Sequence, residues 1–154
     1  MKVYGLEISS SKGLTNFDLM KFAKELKIED FRGVFMRDSL PKQVNTRECG
    51  IVNFNTSKEP GTHWVCYFKD GNTRIYFNSF GQITLEEIQK YLKTKREYES
   101  EKGVIQRNTD IVQRINTHVC GHLCLFVLTS LTRKHLNFQT TLNFLIDGYT
   151  QGDW

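Results

Sequence analysis

A cysteine stands at the head of an apolar run in this chain. Residues 113–130 read QRINTHVCGHLCLFVLTS, with Cys120 just before the apolar part and Gly121 directly after it. Unpaired N–H groups and partial positive charge at a helix N-terminus favour thiolate over thiol, so a sulfur there suits nucleophilic attack. Cys120 is therefore the candidate nucleophile. The competing reading is an inert packed cysteine, since free cysteines are among the most buried residues. Gly121 leaves room beside the sulfur for a close backbone approach. Gln113, seven residues upstream, offers an amide N–H that can join the backbone N–H of Cys120 as an oxyanion donor. The plainer account of a single glutamine is a surface role.

A thiol nucleophile needs a base, and the hairpin signal in 62–78 offers His63. Thr62–Lys69 is β-rich, Asp70-Gly71 is a pair favoured in type I′ turns, and Asn72–Asn78 is β-rich again. A turn on Asp70-Gly71 sets Lys69 opposite Asn72 and, counting back, His63 opposite Asn78. Opposed residues point to the same side of the sheet with Cβ atoms about 4.5–5.5 Å apart. The other side collects Trp64, Cys66, Phe68, Ile75 and Phe77, a coherent apolar face that a one-residue slip would destroy. An Asn78 oxygen accepting Nδ1–H would leave Nε2 facing the thiol, the logic of a Cys-His-Asn site. A packed strand histidine and a strand-end asparagine are the structural alternatives.

Other elements must carry these groups. Thr15 or Asn16 caps a helix whose Leu19, Phe22, Ala23 and Leu26 share one face. FRGVFMR (31–37) is short and apolar, CGIVNF (49–54) reads as a strand, and NTSKEPGT (55–62) as a surface loop. Thr84 with Glu87 forms a capping-box pattern for a helix to about Leu92. Residues 93–102 are charged and read as a solvated loop or helix end, with a short strand in 103–106. On the Cys120 helix, Cys120, Leu123, Cys124, Val127, Leu128 and Leu131 share a face, and Leu125 and Phe126 widen it, so burial nearly all round is expected. Arg133, Lys134 and His135 finish it favourably for the dipole. A last helix follows Asn137 or Thr140.

His118, Cys120, His122 and Cys124 form H-x-C-x-H-x-C, which invites a metal reading. Alternate positions on a helix point in different directions, and no second ligand pair stands at zinc-finger spacing. No metal and no cofactor are expected. Cys66 and Cys124 fall on apolar faces and read as packing residues.

The 154 residues suit one domain, 1–154, with 39% hydrophobic and 25% charged residues. No apolar run reaches the roughly 18–20 residues needed to cross a bilayer. The N-terminus lacks the apolar block of a signal peptide. Four scattered cysteines make no disulfide framework, so an intracellular, reduced protein is expected. A net charge of +4 is too mild to imply nucleic acid binding.

Together the segments FRGVFMRDSLP, ECGIVNF, GTHWVCYF, IYFNSFG and Q-x₆-C-G-H-L-C resemble the adenovirus-type cysteine proteases. The resemblance is closest to versions encoded by Maverick/Polinton transposons, and it spans roughly Leu14 to Leu131. It implies an α+β fold: a central mixed sheet flanked by helices, with the cysteine at the N-terminus of a buried helix. It also implies His63 as base, Cys120 as nucleophile and Gln113 as oxyanion donor. The third residue in such families is usually Asp or Glu; here it is Asn78, which orients a histidine but carries no charge to stabilise the imidazolium.

The function expected from the resemblance is cleavage of capsid or other virion precursor proteins at Gly-Gly or Gly-x-Gly-like sites. The protein would be a monomer in the host nucleus or cytoplasm, or packaged in a virion. Adenoviral enzymes are activated by a peptide disulfide-linked upstream of the nucleophile, but no cysteine lies between Cys66 and Cys120. A peptide or DNA activator is left open. The alternatives are a ubiquitin-like-protein (SUMO-type) protease and, from another class, an inactive protease-fold binding module.

Overall fold

Alternating apolar residues build a five-stranded sheet, and helices cover both of its faces. A computed structural model describes residues 1–58 and 62–154. The chain starts with a small ribbon, β1 (Lys2–Val3) and β2 (Leu6–Glu7), and then α1 (Asn16–Glu25). Four strands follow: β3 (Phe31–Met36), β4 (Arg47–Asn53), β5 (Trp64–Asp70) and β6 (Thr73–Phe77). Two short helices, α2 (Glu86–Leu92) and α3 (Lys95–Glu99), lead to β7 (Gln106–Arg107), then α4 (Cys120–Leu131) and α5 (Phe138–Gln151). Strand order is β3-β4-β5-β6-β7, with the outer pairs parallel and the inner pairs antiparallel. This is the α+β class with a mixed sheet flanked by helices that the resemblance implies.

Period-two alternation sorts the sheet's side chains into two cores. Trp64, Cys66, Phe68, Ile75 and Phe77 pack in one core with Leu123, Cys124, Val127 and Leu128 of α4. Val65, Tyr67 and Tyr76 pack in the other with Ile88 and Leu92 of α2. Fully burying a large apolar side chain contributes about 1.5–3 kcal/mol, so these faces dominate the placement of α4. Every residue of α4 except Phe126 is buried. The helix ends at Leu131, so Arg133, Lys134 and His135 lie beyond it. Arg133 instead donates to the Leu26 carbonyl (3.0 Å).

Two local expectations are corrected. The hairpin pairs Asp70 with Thr73 and Cys66 with Phe77, so its two-residue loop is Gly71-Asn72, not Asp70-Gly71. Gly71 takes φ +59° while Asn72 stays on the negative side, so the turn is not type I′ and needs glycine only at its first central position. The shift is even, so the apolar face keeps all five predicted members. Extended beyond the last pair, this register sets His63 diagonal to Asn78 instead of directly opposite.

The second correction concerns α2. Thr84 and Glu87 form no capping box; the helix begins at Glu86 behind Leu85, which makes no side-chain cap. The Glu87 carboxylate accepts two hydrogen bonds from Arg37 instead (2.8 and 2.9 Å). An ion-paired hydrogen bond outweighs a neutral cap of the usual strength. Capping boxes form at Thr15 with Asp18 on α1 and at Thr94 with Glu97 on α3, where a charged loop or helix end was expected. The 31–37 segment forms β3. The short strand expected in 103–106 is displaced to Gln106–Arg107. The surface loop expected over 55–62 falls partly outside the described residues, at 59–61.

Candidate active site

Loss of regular pairing at the end of the hairpin frees the residues with chemistry. His63 lies just before β5 and Asn78 just after β6. The Asn78 Oδ1 accepts the backbone N–H of Phe80 (2.9 Å), and its Nδ2 donates to Gln82 Oε1 (3.2 Å). A backbone N–H can only donate, so the amide cannot be flipped. The same Oδ1 lies 3.0 Å from His63 Nε2, which must therefore carry the proton. Nδ1 is left with the lone pair. This reverses the expected use of the two ring nitrogens: Asn78 holds Nε2, and Nδ1 is the basic atom. Phe80 (5.0 Å between ring centroids) and Phe54 (5.9 Å) flank the imidazole.

Asn78 is itself clamped. Asn108, which is buried, accepts the Asn78 backbone N–H (3.1 Å) and donates to the Asn78 carbonyl (2.6 Å). Sequence reasoning missed Asn108 because a loop asparagine 30 residues downstream carries no local pattern.

Cys120 is the first residue of α4, behind Val119, which makes no side-chain cap. Only 6% of Cys120 is exposed. Burial pushes its thiol up to about 11, against the pull of backbone N–H groups of Trp64, Gly121 and Cys120 itself. Burial also lowers His63 from its ordinary 6.5, against the raising effect of the Asn78 hydrogen bond. Both directions favour a neutral resting pair, thiol and imidazole, rather than the thiolate that the helix N-terminus alone suggests. Gly121 plays a different part from the one expected. A Cβ there would meet Leu14, Leu19 and Trp64 side chains at 3.2–3.4 Å, so its bareness lets α1 close on α4.

Gln113 is buried, with 2% exposed. Its Nε2 donates to the Thr117 carbonyl (3.1 Å), which fixes the amide orientation, and its Oε1 accepts the Ser79 hydroxyl (2.5 Å). One Nε2 hydrogen is left over. Gln113, Cys120 and His63 line one cleft of about 570 Å³, with Leu14, Asn53 and Trp64 among its other walls. All four predicted residues thus come together, three on the cleft and Asn78 behind the histidine. Ser79, Gln82, Thr117 and Asn108 are the polar supports that the sequence reading lacked. The arrangement supplies a thiol, a base of fixed tautomer and a free amide N–H to one space, which are the parts of acyl transfer.

This fold has solved counterparts. The crystal structure of the ASFV pS273R protease matches with a TM-score of 0.56 at 17% identity, over 84% of this chain. A selenomethionine crystal structure of the same protease gives 0.51, also at 17% identity and over 84% of this chain. The chain shares its fold with the ASFV pS273R protease. It spans 61% of that protein's length. No protein-family model and no curated protein sequence matches the chain.

The H-x-C-x-H-x-C residues do not converge. His118 is exposed at the cleft, while His122 is buried and donates from Nε2 to the Ser9 carbonyl (2.8 Å). Cys124 is buried beneath the strands with its thiol toward the Trp64 carbonyl (3.6 Å). No helix among the described residues is long and apolar enough to cross a membrane.

Proposed function

We propose that the chain is a cysteine endopeptidase, with Cys120 as nucleophile, His63 as base, Asn78 as its orienting partner and Gln113 as oxyanion donor. The observation that carries this reading is the meeting of Cys120, His63 and Gln113 on one cleft, with the His63 tautomer fixed by Asn78. The shared fold with a protease supports it. His63 Nδ1 takes the thiol proton as the sulfur attacks the scissile carbonyl carbon. The oxyanion receives the free N–H of Gln113 and the backbone N–H of Cys120. The imidazolium returns its proton to the leaving amine as the C–N bond breaks. Water, activated by the same nitrogen, then hydrolyses the thioester and restores the thiol.

The substrate class is a protein precursor, read from the resemblance to adenovirus-type proteases: capsid or virion proteins of a virus or Maverick/Polinton-like element, cut at glycine-containing sites. The place of action that follows is the host nucleus or cytoplasm, or the virion. Incubation with such precursor peptides, read by mass spectrometry of the cut ends, tests it. Cys120→Ala abolishes cleavage while circular dichroism stays native; retained cleavage in that variant sinks the assignment. Cleavage of ubiquitin-like-protein conjugates in place of precursor peptides moves the assignment to that protease class.

A second reading, an inactive binding module on the same fold, is favoured by one observation: burial raises the Cys120 thiol and lowers His63, both away from an ion pair. Alkylation of Cys120 at neutral pH separates the two. Modification faster than that of free cysteine marks the enzyme, and an inert thiol marks the module.

A further inference from the structure

Val112, Gln113 and Arg114 lie outside regular secondary structure, yet each of the three is tied down. The Val112 N–H donates to the Ser79 carbonyl (2.9 Å). The Val112 carbonyl accepts the indole N–H of Trp154 (2.6 Å). On the other side of Gln113, Arg114 donates to the main-chain oxygens of Trp154 and Tyr149 (2.7 Å each). Its guanidinium also lies 4.3 Å from the centroid of the Tyr149 ring. Both neighbours of Gln113 are therefore held by the end of α5 and the residues just after it.

The seat of the indole is specific. A Cβ at Gly148 would lie 2.2 Å from Trp154 Cη2, so only glycine leaves room for the ring on that face of α5. Neither Trp154, Arg114, Tyr149 nor Gly148 lines the cleft. Their hydrogen bonds reach the cleft through the 112–114 segment, while Tyr149 and Trp154 also pack on the core that includes Cys120.

We infer that Trp154, seated on Gly148, is a positioning residue for the Gln113 oxyanion donor, and that Arg114 completes the hold. The inference rests on the proposed role of Gln113. The peptide joining Val112 to Gln113 has its oxygen fixed by the indole, so the Gln113 backbone cannot rotate without breaking that bond. A donor already aimed at the developing oxyanion costs nothing to reorganise during reaction, and small misplacements from remote changes cost up to about a hundredfold.

The test keeps an aromatic side chain and removes the indole N–H donor. Trp154→Phe is expected to lower kcat roughly tenfold with KM within about twofold, since transition-state and not ground-state contacts are lost. Cys120 alkylation by iodoacetamide, which passes through no oxyanion, is expected to keep its rate. Gly148→Ala, which expels the indole while placing the better helix former in α5, is expected to reproduce the kcat loss with intact helicity. In a Gln113→Ala background, Trp154→Phe is expected to cost nothing further. Full kcat in Trp154→Phe, or an additive loss in the Gln113→Ala background, overturns the inference. An activity-independent arm separates its failure from that of the functional reading. Backbone amide exchange over 112–117 is expected to quicken in Trp154→Phe and Gly148→Ala with the sheet unchanged. Unaltered exchange there overturns the inference even if the wild-type chain cleaves no peptide.

Discussion

Two buried side chains, Glu48 beneath α2 and Gln113 at the cleft, sit in polar networks of opposite character. The Glu48 carboxylate accepts from Arg32 (2.8 Å), the Asn45 N–H (2.7 Å), Tyr67 (2.5 Å) and Tyr91 (2.8 Å). All of its acceptor capacity is used. Burial pushes this carboxyl up, but the bonds from Asn45, Tyr67, Arg32 and Tyr91 outweigh it and hold the group below its ordinary 4.5. Around Gln113 and His63 the supports are as complete, yet one amide hydrogen and one ring lone pair remain unused among the described residues. Satisfied buried polar groups rigidify a fold, and unsatisfied ones cost stability. A closed network therefore marks structure. One that is closed except at two atoms sharing a cleft marks reactivity.

The largest expected break of this contrast is Glu48→Ala. It strands the buried hydroxyls of Tyr67 and Tyr91, while the partly exposed Arg32 guanidinium keeps the Gln43 carbonyl, and urea unfolding should show a loss of about 2–5 kcal/mol. The turnover of the molecules that remain folded should be unchanged. Gln113→Ala should do the reverse. Its kcat should fall about 10²–10³-fold, equivalent to about 3–4 kcal/mol of transition-state stabilisation, with a far smaller change in unfolding midpoint.

A smaller effect is expected from Asn78→Asp. The aspartate still accepts from Phe80 and His63, and its charge raises the His63 pKa by about 1–3 units. The acid limb of kcat/KM, set below 6.5 in the wild type by burial, should move upward by that amount. An unmoved limb would mean that His63 is not the titrating base. The smallest effect belongs to pH and stability. Because the folded Glu48 pKa is depressed, its contribution is fully present above about 4.5 and is lost as pH falls through the lower folded value. Acid titration of the unfolding free energy should show this slope, and Glu48→Gln should remove it.

What could be read from the chain followed pattern strength. The face of α1, the buried α4 and the two sides of the hairpin repeat over several turns or pairs, so their apolar members were legible. The α+β class came from the resemblance to a protease family. His63, Asn78, Gln113 and Cys120 were legible as residues, through the helix start, the hairpin and the resemblance to a protease family. Their hydrogen-bonding detail was not. Which imidazole nitrogen Asn78 takes depends on the Phe80 N–H, and the hold on Asn78 depends on Asn108, 30 residues away. Ser79, Thr117 and Trp154 act through single bonds between loops, which leave no periodic trace. The Thr84 expectation failed because the helix starts one residue later, behind Leu85, and Arg37, 50 residues before Glu87, takes its carboxylate.

The even offset of the hairpin has a consequence for how the chain finds its form. A hairpin closed on Asp70-Gly71 and one closed on Gly71-Asn72 bury the same five side chains, so the apolar core is blind to the error between them. Proofreading falls to polar groups. Asn108 grips the backbone of Asn78 by both its N–H and its carbonyl, a fit that holds only when Asn78 has reached its place. The residue that checks the assembly of the hairpin thus sits directly behind Asn78, the partner of His63. A misregistered fold would carry a sound core and a disarmed cleft.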